Sequence, residues 1–315
     1  MSKFAFIFPG QGSQFIGMGK DLADNYASAK AVFEEVDAAL GQDLSGLMWS
    51  GSEDELKLTA NTQPALMAVS VAAMRALEEA HGIGAGKAAF IAGHSLGEYS
   101  ALASAGAISV GDCAKVLRIR GNAMQDAVPA GEGAMAALLG ASPEQAADLC
   151  AAGASEGPCE IANDNAPGQI VISGAKAAVE LAISGAKEAG VKKAVLLPVS
   201  APFHCSLMQP AADAMAEALS EIEIKAPAAP LVANVTAAAG SDPDAIRSQL
   251  VEQVTGQVRW TESVQFMAAQ GVELTIEAGA GKVLSVMNRR TVRALEGLTM
   301  GAPDDINAVA ERLNA

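Results

Sequence analysis

The stretch KAAFIAGHSLGEYSALASAG (87–106) begins as an apolar strand and, at Gly93, becomes a turn that opens a helix. A short apolar run without polar alternation fits a buried strand of an α/β fold with a parallel sheet. The turn is G-x-S-x-G (Gly93–Gly97) in the setting that gives this pattern meaning. Small residues permit a sharp strand-to-helix bend that holds the Ser95 hydroxyl out from the sheet edge. The first N–H groups of the helix and its positive dipole end then face the same point. Ser95-Leu96-Gly97-Glu98 is equally S-x-x-E, a capping box with Ser95 as N-cap and Glu98 three residues on. Capping requires neither Gly93 nor Gly97, so Ser95 is also a candidate nucleophile.

Strand and helix patterns alternate outward from this turn, as expected of an α/β fold. KFAFIF reads as strand, SAKAVFEEVDAAL as helix, and TQPALMAVSVAAMRALEEAHG as a long helix ended by glycine. From about residue 128 the rhythm changes. GAMAALLG, CEIAND, GQIVISG and VKKAVLLPVS read as strands, with a turn at NAPG between the second and third. SPEQAADLCAAGA and AKAAVELAISGAKEAG supply helices, so the order is the β-α-β-β-α-β of a ferredoxin-like unit. The expected organisation is a core formed by 1–127 and 200–315 and a small inserted subdomain at 128–199. No internal repeat interrupts it.

Composition excludes several classes of function. A net charge of −15 argues against general binding to nucleic acid or anionic membrane, which needs a basic surface. The apolar run Phe4–Phe8 is too short for an export signal and is ended by Pro9. No stretch approaches the ~20 apolar residues of a membrane span. Cys113, Cys150, Cys159 and Cys205 show no C-x-x-C spacing, so buried thiols in a reducing cytosol are expected rather than a metal or redox site. The glycine-rich FPGQGSQ (8–14) is not a nucleotide loop. A dinucleotide fingerprint from Gly10 would need glycine where Phe15 stands, and a P-loop from Gly12 meets Met18 and Gly19 in place of Lys and Ser/Thr.

A serine nucleophile needs a base. Of the three histidines, His94 adjoins Ser95 around a tight turn, and His81 sits at a helix end where an imidazole complements the dipole. His204, in the loop VSAPFHCSLMQP after a strand, remains, and the order serine-then-histidine matches the hydrolase arrangement. No acid stands out as a third member. Asp213 falls inside the next helix, and a backbone carbonyl or amide could hold the histidine instead. In DCAKVLRIRGNAMQDA the apolar stripe runs through Cys113, Leu117, Gly121 and Met124, and Arg120 falls on it while Arg118 faces away. A buried guanidinium needs a partner, either an internal acid or a substrate carboxylate gripped by its planar fork.

FPGQGSQ, GHSLGEYSAL, RG followed by MQ, NAPGQIVISG, VSAPFHC and EQVTGQVRW occur in this order along the chain. Together they resemble the malonyl-CoA:acyl carrier protein transacylases, the acyltransferases of bacterial fatty acid synthesis. The resemblance runs over essentially the whole chain and implies a hydrolase-like core with a ferredoxin-like insertion. It makes Ser95 the acylated nucleophile and His204 its base. Arg120 becomes the malonate carboxylate site, and Gln11 with the Leu96 N–H the oxyanion hole. Gln253 would orient the histidine through its backbone carbonyl, and Phe203 is a variant associated with malonyl preference. The implied reaction is a ping-pong transfer from malonyl-CoA to acyl carrier protein in the cytoplasm, by a monomer. Coenzyme A is the product, and neither resident cofactor nor metal is called for. Both substrates are acidic like the chain itself, so a local basic patch is expected. Lys192–Lys193 and the run Arg289, Arg290, Arg293, spaced along one helix face, are the candidates. A serine thioesterase or esterase shares nucleophile, base and fold, and differs in the acceptor. A non-catalytic carrier-binding protein would not need Ser95 and His204 together.

Overall fold

Eleven strands form two sheets in the computed structural model, which describes residues 3–199 and 201–314. Ser200, the end of the strand expectation VKKAVLLPVS and the first residue of the 200–315 segment, lies outside the described residues. In chain order the strands are β1 (Phe4–Phe8), β2 (Phe90–Gly93), β3 (Gly133–Leu139), β4 (Cys159–Ala166), β5 (Gln169–Ala175) and β6 (Lys193–Leu196). They continue with β7 (Leu231–Val232), β8 (Ala239–Gly240), β9 (Val258–Arg259), β10 (Leu274–Ala278) and β11 (Glu296–Met300).

The larger sheet has the order β11-β10-β1-β2-β7-β8 and is parallel except for the β7–β8 pair. Helices cover both faces, which is why β2 and β10 are buried at every residue and why β2 reads as a continuous apolar run. The long helix Thr59–His81, ended by Gly82 in the left-handed conformation, is buried along most of its length. It packs along Val110–Asp126, where Cys113, Leu117, Gly121 and Met124 are buried as the stripe predicts.

The second sheet has the order β6-β3-β5-β4-β9. Its first four strands pair antiparallel, and they alternate with the helices Pro143–Gly153 and Lys176–Ser184 in the β-α-β-β-α-β order. The fifth, β9, joins β4 in parallel from outside residues 128–199. Period-two alternation divides this sheet's side chains. Ala136, Leu138, Ile170 and Ile172 pack with its own helices, whereas Met135 and Val171 join the main core. Residues on that second face can therefore line a cleft between the sheets. Among the described residues no helix is long and apolar enough to cross a membrane, and no cluster of His, Cys, Asp and Glu could hold a metal ion. All four cysteines are free and buried.

β2 enters the turn at Gly93, and the next helix begins at Gly97. The two ends nearly touch. A Cβ on Gly93 would lie 1.9 Å from the Gly97 carbonyl carbon, and one on Gly97 2.3 Å from the Phe8 carbonyl oxygen. These obstacles are backbone and cannot rotate aside. Gly93→Ala is expected to cost about 3 kcal/mol, the upper end of overpacking penalties, read as a lower urea midpoint at unchanged slope. Gly240→Ala, where an added Cβ meets nothing within 4 Å, is the control and should leave the midpoint in place.

Candidate active site

The bend leaves Ser95 in the left-handed region at φ 54°, a conformation that costs a non-glycine residue of order 1–3 kcal/mol. His204 has the same character at φ 59°. Both therefore depend on the surrounding structure to hold them. The Ser95 N–H donates to Asn234 Oδ1 at 2.8 Å, and Asn234 Nδ2 donates to the Gly93 carbonyl at 2.7 Å. Asn234 thus grips the bend on both sides of His94.

Ser95 Oγ lies 2.7 Å from His204 Nε2. His204 Nδ1 faces the carbonyl oxygens of Gln253 at 2.9 Å and Gly256 at 3.2 Å. Carbonyls only accept, so Nδ1 carries the proton and Nε2 is free to accept from the serine hydroxyl. The imidazole is 4 % exposed, and burial, with the Arg120 charge nearby, pushes its pKa down to about 3. His204 is consequently neutral at ordinary pH. The position expected for an acid is filled by two backbone oxygens. The capping-box alternative for Ser95 does not occur: Leu96 is the N-cap, Ser95 Oγ turns to His204 and Arg120, and Glu98 points elsewhere.

Arg120 is 2 % exposed, and burial lowers its pKa. Its Nη1 donates to Gln63 Oε1 at 2.7 Å, and its Nη2 to Gln253 Oε1 at 2.8 Å and Ser95 Oγ at 3.1 Å. Every one of these acceptors is neutral, so the internal acid offered as one partner is not in contact. The buried Nε has no partner among the described residues. Arg118 instead reaches Gln42 Oε1 at 2.7 Å on the outer side of the helix. Behind the guanidinium lies Glu98, whose oxygens accept from the Asn234 N–H at 2.6 Å and from Gln253 Nε2. Burial pushes this carboxyl up to about 8, while the Asn234 N–H, the Gln253 amide and the Arg120 charge pull the other way.

The first loop reaches the same place because Gly10 lies against the bend. A Cβ there would sit 2.7 Å from the His94 carbonyl oxygen. Gln11 Oε1 accepts from Thr59 Oγ1 at 2.9 Å, and Thr59 Oγ1 accepts from Gln63 Nε2 at 2.9 Å. Gln11, Leu96 and Phe203 all line the cavity with Ser95, His204 and Arg120, and the cavity measures about 210 Å³. Its second wall comes from Met135 and Val171 of the smaller sheet and from Val283, Leu284 and Met287 of the helix Val283–Thr291. The remaining histidines stand apart from the base position. His94 Nε2 pairs with Asn165 Oδ1 at 2.7 Å, and His81 Nε2 with Asn307 Oδ1 at 3.0 Å on the surface.

Three site neighbours carried no signal in the sequence: Gln63, Asn234 and the side chain of Gln253. Each is a neutral amide that no charge or periodicity marks, and although Gln253 falls within EQVTGQVRW only its backbone carbonyl is expected to act; spatial convergence gives the side chains their roles. The basic candidates are dispersed. Arg289 and Arg290 are exposed on the helix Val283–Thr291, but that helix ends at Thr291, so Arg293 does not share their face. The β-branched Thr291 and Val292 close it, with Val292 extended and its N–H bonded to the Asn288 carbonyl. Lys193 pairs with Leu139, four residues along β3 from cavity-lining Met135, or about 13 Å at the strand rise.

An acyl transferase domain model matches residues 5–304. The malonyl CoA-acyl carrier protein transacylase of Escherichia coli (strain K12) is 46% identical over 99% of this chain and 100% of its own length. The crystal structure of acyl-carrier-protein-S-malonyltransferase from Bartonella henselae superposes with a TM-score of 0.97 at 53% identity, covering 99% of this chain and 100% of that one. A malonyl-transacylase solved in complex with its type II PKS acyl-carrier protein gives 0.94 at 42% identity, over 99% of this chain and 100% of that one. With such likeness along its whole length, this chain belongs to the malonyl CoA-acyl carrier protein transacylase family of acyl transferases.

Proposed function

We propose that this protein transfers a malonyl group from malonyl-CoA to the phosphopantetheine thiol of acyl carrier protein through a malonyl-Ser95 ester. The observation that carries the reading is Arg120, buried among neutral acceptors 3.1 Å from the Ser95 hydroxyl with Nε unclaimed among the described residues. A guanidinium so placed suits a carboxylate one methylene away from a thioester carbonyl.

His204 Nε2 takes the Ser95 proton as Oγ attacks the thioester carbon. The oxyanion falls to Gln11 and the Leu96 N–H, a kind of donor worth ~10²–10³ in rate. Collapse breaks the C–S bond, and the coenzyme A thiolate leaves with the proton from His204. The carrier thiol then gives its proton to His204 and attacks the ester carbon, and His204 returns the proton to Ser95 Oγ as the ester C–O bond breaks. Gln253 holds the imidazole tautomer through its carbonyl, and Phe203 borders the acyl group. This scheme uses malonyl-CoA and coenzyme A as substrate and product and no resident cofactor.

On this reading the core is hydrolase-like, built from 1–127 and 200–315, and 128–199 is a ferredoxin-like unit, supported by the strand order β6-β3-β5-β4. The protein works as a cytoplasmic monomer. Arg289 and Arg290, on the helix that walls the cavity, are the better placed of the basic candidates for meeting an acidic carrier, ahead of Arg293 and Lys192–Lys193.

Intact mass after mixing with malonyl-CoA should show one malonyl adduct, absent in Ser95→Ala, with little adduct from acetyl-CoA. Arg120→Ala should shift labelling toward acetyl. Equal labelling of the unaltered protein by both thioesters would remove the role of Arg120. Because His204 is neutral above about pH 3, the loading rate should show no inflection near 6.5 of the kind an ordinary histidine gives, and any rise on approaching pH 8 belongs to the buried Glu98 carboxyl. A clear loss of rate on crossing 6.5 would contradict that. Reversing the charges of Arg289 and Arg290 together should raise the KM for the carrier protein and leave malonyl-CoA loading unaltered.

A further inference from the structure

One carboxylate beneath the reacting centre takes no part in the transfer. Glu98 is 1 % exposed in the first turn of the helix Gly97–Ser104. Its two oxygens meet donors from two separate parts of the chain. The Asn234 N–H follows β7 and donates at 2.6 Å, and Gln253 Nε2 comes from the helix Pro243–Thr255. Each donor leads to a part of the site. Asn234 clamps the bend at Gly93 and Ser95. Gln253 Nε2 also donates to the Ser95 carbonyl at 3.0 Å, its Oε1 accepts from Arg120 at 2.8 Å, and its backbone oxygen holds His204.

Two facing donors require two acceptor oxygens. A carboxylate supplies both, whereas an amide of the same shape supplies one acceptor and one donor. Both hydrogen-bond partners of Glu98 are donors, which favours the ionised form against the burial that pushes the carboxyl up to about 8. With both oxygens accepting, the Gln253 amide keeps its NH₂ toward Glu98 and its oxygen toward the guanidinium. Put glutamine at 98, and one of the two contacts becomes donor against donor. The Asn234 N–H is backbone and fixed, so the conflict falls on the Gln253 amide, which can turn over. Its NH₂ would then face Arg120, where every group is also a donor, and the guanidinium would lose its hold. Turning the side chain leaves the backbone carbonyl on His204 undisturbed, and the Nε2 bond to the Ser95 carbonyl that it also breaks is lost for either thioester alike.

We propose that Glu98 is a positioning residue that sets the Gln253 amide, and through it Arg120, and so selects acyl thioesters that carry a free carboxylate over neutral ones. This rests on Arg120 being the carboxylate site. The selectivity is built two hydrogen bonds away from the group that touches substrate, in a residue whose motif position looks like a helix cap.

The test measures single-turnover formation of acyl-Ser95 by intact mass, with malonyl-CoA and with acetyl-CoA separately, in wild type, Glu98→Gln, Gln253→Met and the double variant. Glu98→Gln should lower the malonyl-to-acetyl ratio of kcat/KM by about tenfold, the order expected for misaligning one charged hydrogen-bonded group, with acetyl loading falling far less than malonyl loading. Gln253→Met keeps the carbonyl for His204 and deletes the amide, so the ratio should fall there as well. Adding Glu98→Gln to it should change nothing further, because both act through one side chain. Equal losses for both thioesters in Glu98→Gln would mark a merely structural residue and overturn the proposal, as would losses that multiply in the double variant. Should Glu98→Gln fail to fold, an unchanged ratio in Gln253→Met overturns it alone. A wild type that loads both thioesters equally would remove the Arg120 reading and this one together, whereas a selective wild type with an unchanged variant ratio removes this one only.

Discussion

Ser95 occupies a left-handed backbone conformation at a bend where strand and helix come within contact of each other, and most of the surrounding structure serves to keep it there. Gly93 and Gly97 make the crossing sterically possible. Asn234 ties the two flanks of the bend, and the Glu98 carboxylate ties Asn234 to Gln253. Released from those contacts, the turn would relax toward an ordinary helix N-terminus and the hydroxyl would cap it. Strain at the nucleophile is thus balanced by hydrogen bonds that are individually ordinary and collectively cooperative.

The electrostatics of the cavity follow from the same network. A guanidinium removed from water normally sits on a carboxylate, because a buried unpaired charge is costly. Here its acceptors are two amide oxygens and one hydroxyl, and the compensating Glu98 lies one amide further away. Arg120 is therefore restrained in position without being neutralised by direct contact. In a protein of net charge −15, that leaves a buried positive site able to take an anionic acyl group. The neighbouring His204 feels the same charge as a further push toward its neutral form, which is the form a general base requires.

Several parts of this arrangement were legible along the chain because they are local. The strand-turn-helix around GHSLG, the apolar stripe that carries Arg120, and the β-α-β-β-α-β order each rest on periodicity within a few tens of residues. His204 followed by elimination among three histidines, and the roles of Gln11, Leu96, Gln253 and Phe203 came from resemblance to a family rather than from spacing. Glu98 shows the limit of local reading. As a sequence it completes a capping box, yet its side chain is drawn to donors 136 and 155 residues away. Arg293 shows another: its spacing suits a helix face, and the helix stops before reaching it.

The amino-acid sequence by itself determined the parallel core, the elbow with its serine, the buried arginine and the acidic surface charge, since each follows from side-chain type and spacing along a few turns or strands. Tertiary structure alone decided which atoms meet. The pairing of Ser95 with His204 spans 109 residues, and that of Arg120 with Gln253 spans 133. No local preference encodes either pair. They form because parallel strands deliver their following loops to one edge of the sheet, where neutral amides such as Gln63, Asn234 and Gln253 acquire roles from their neighbours.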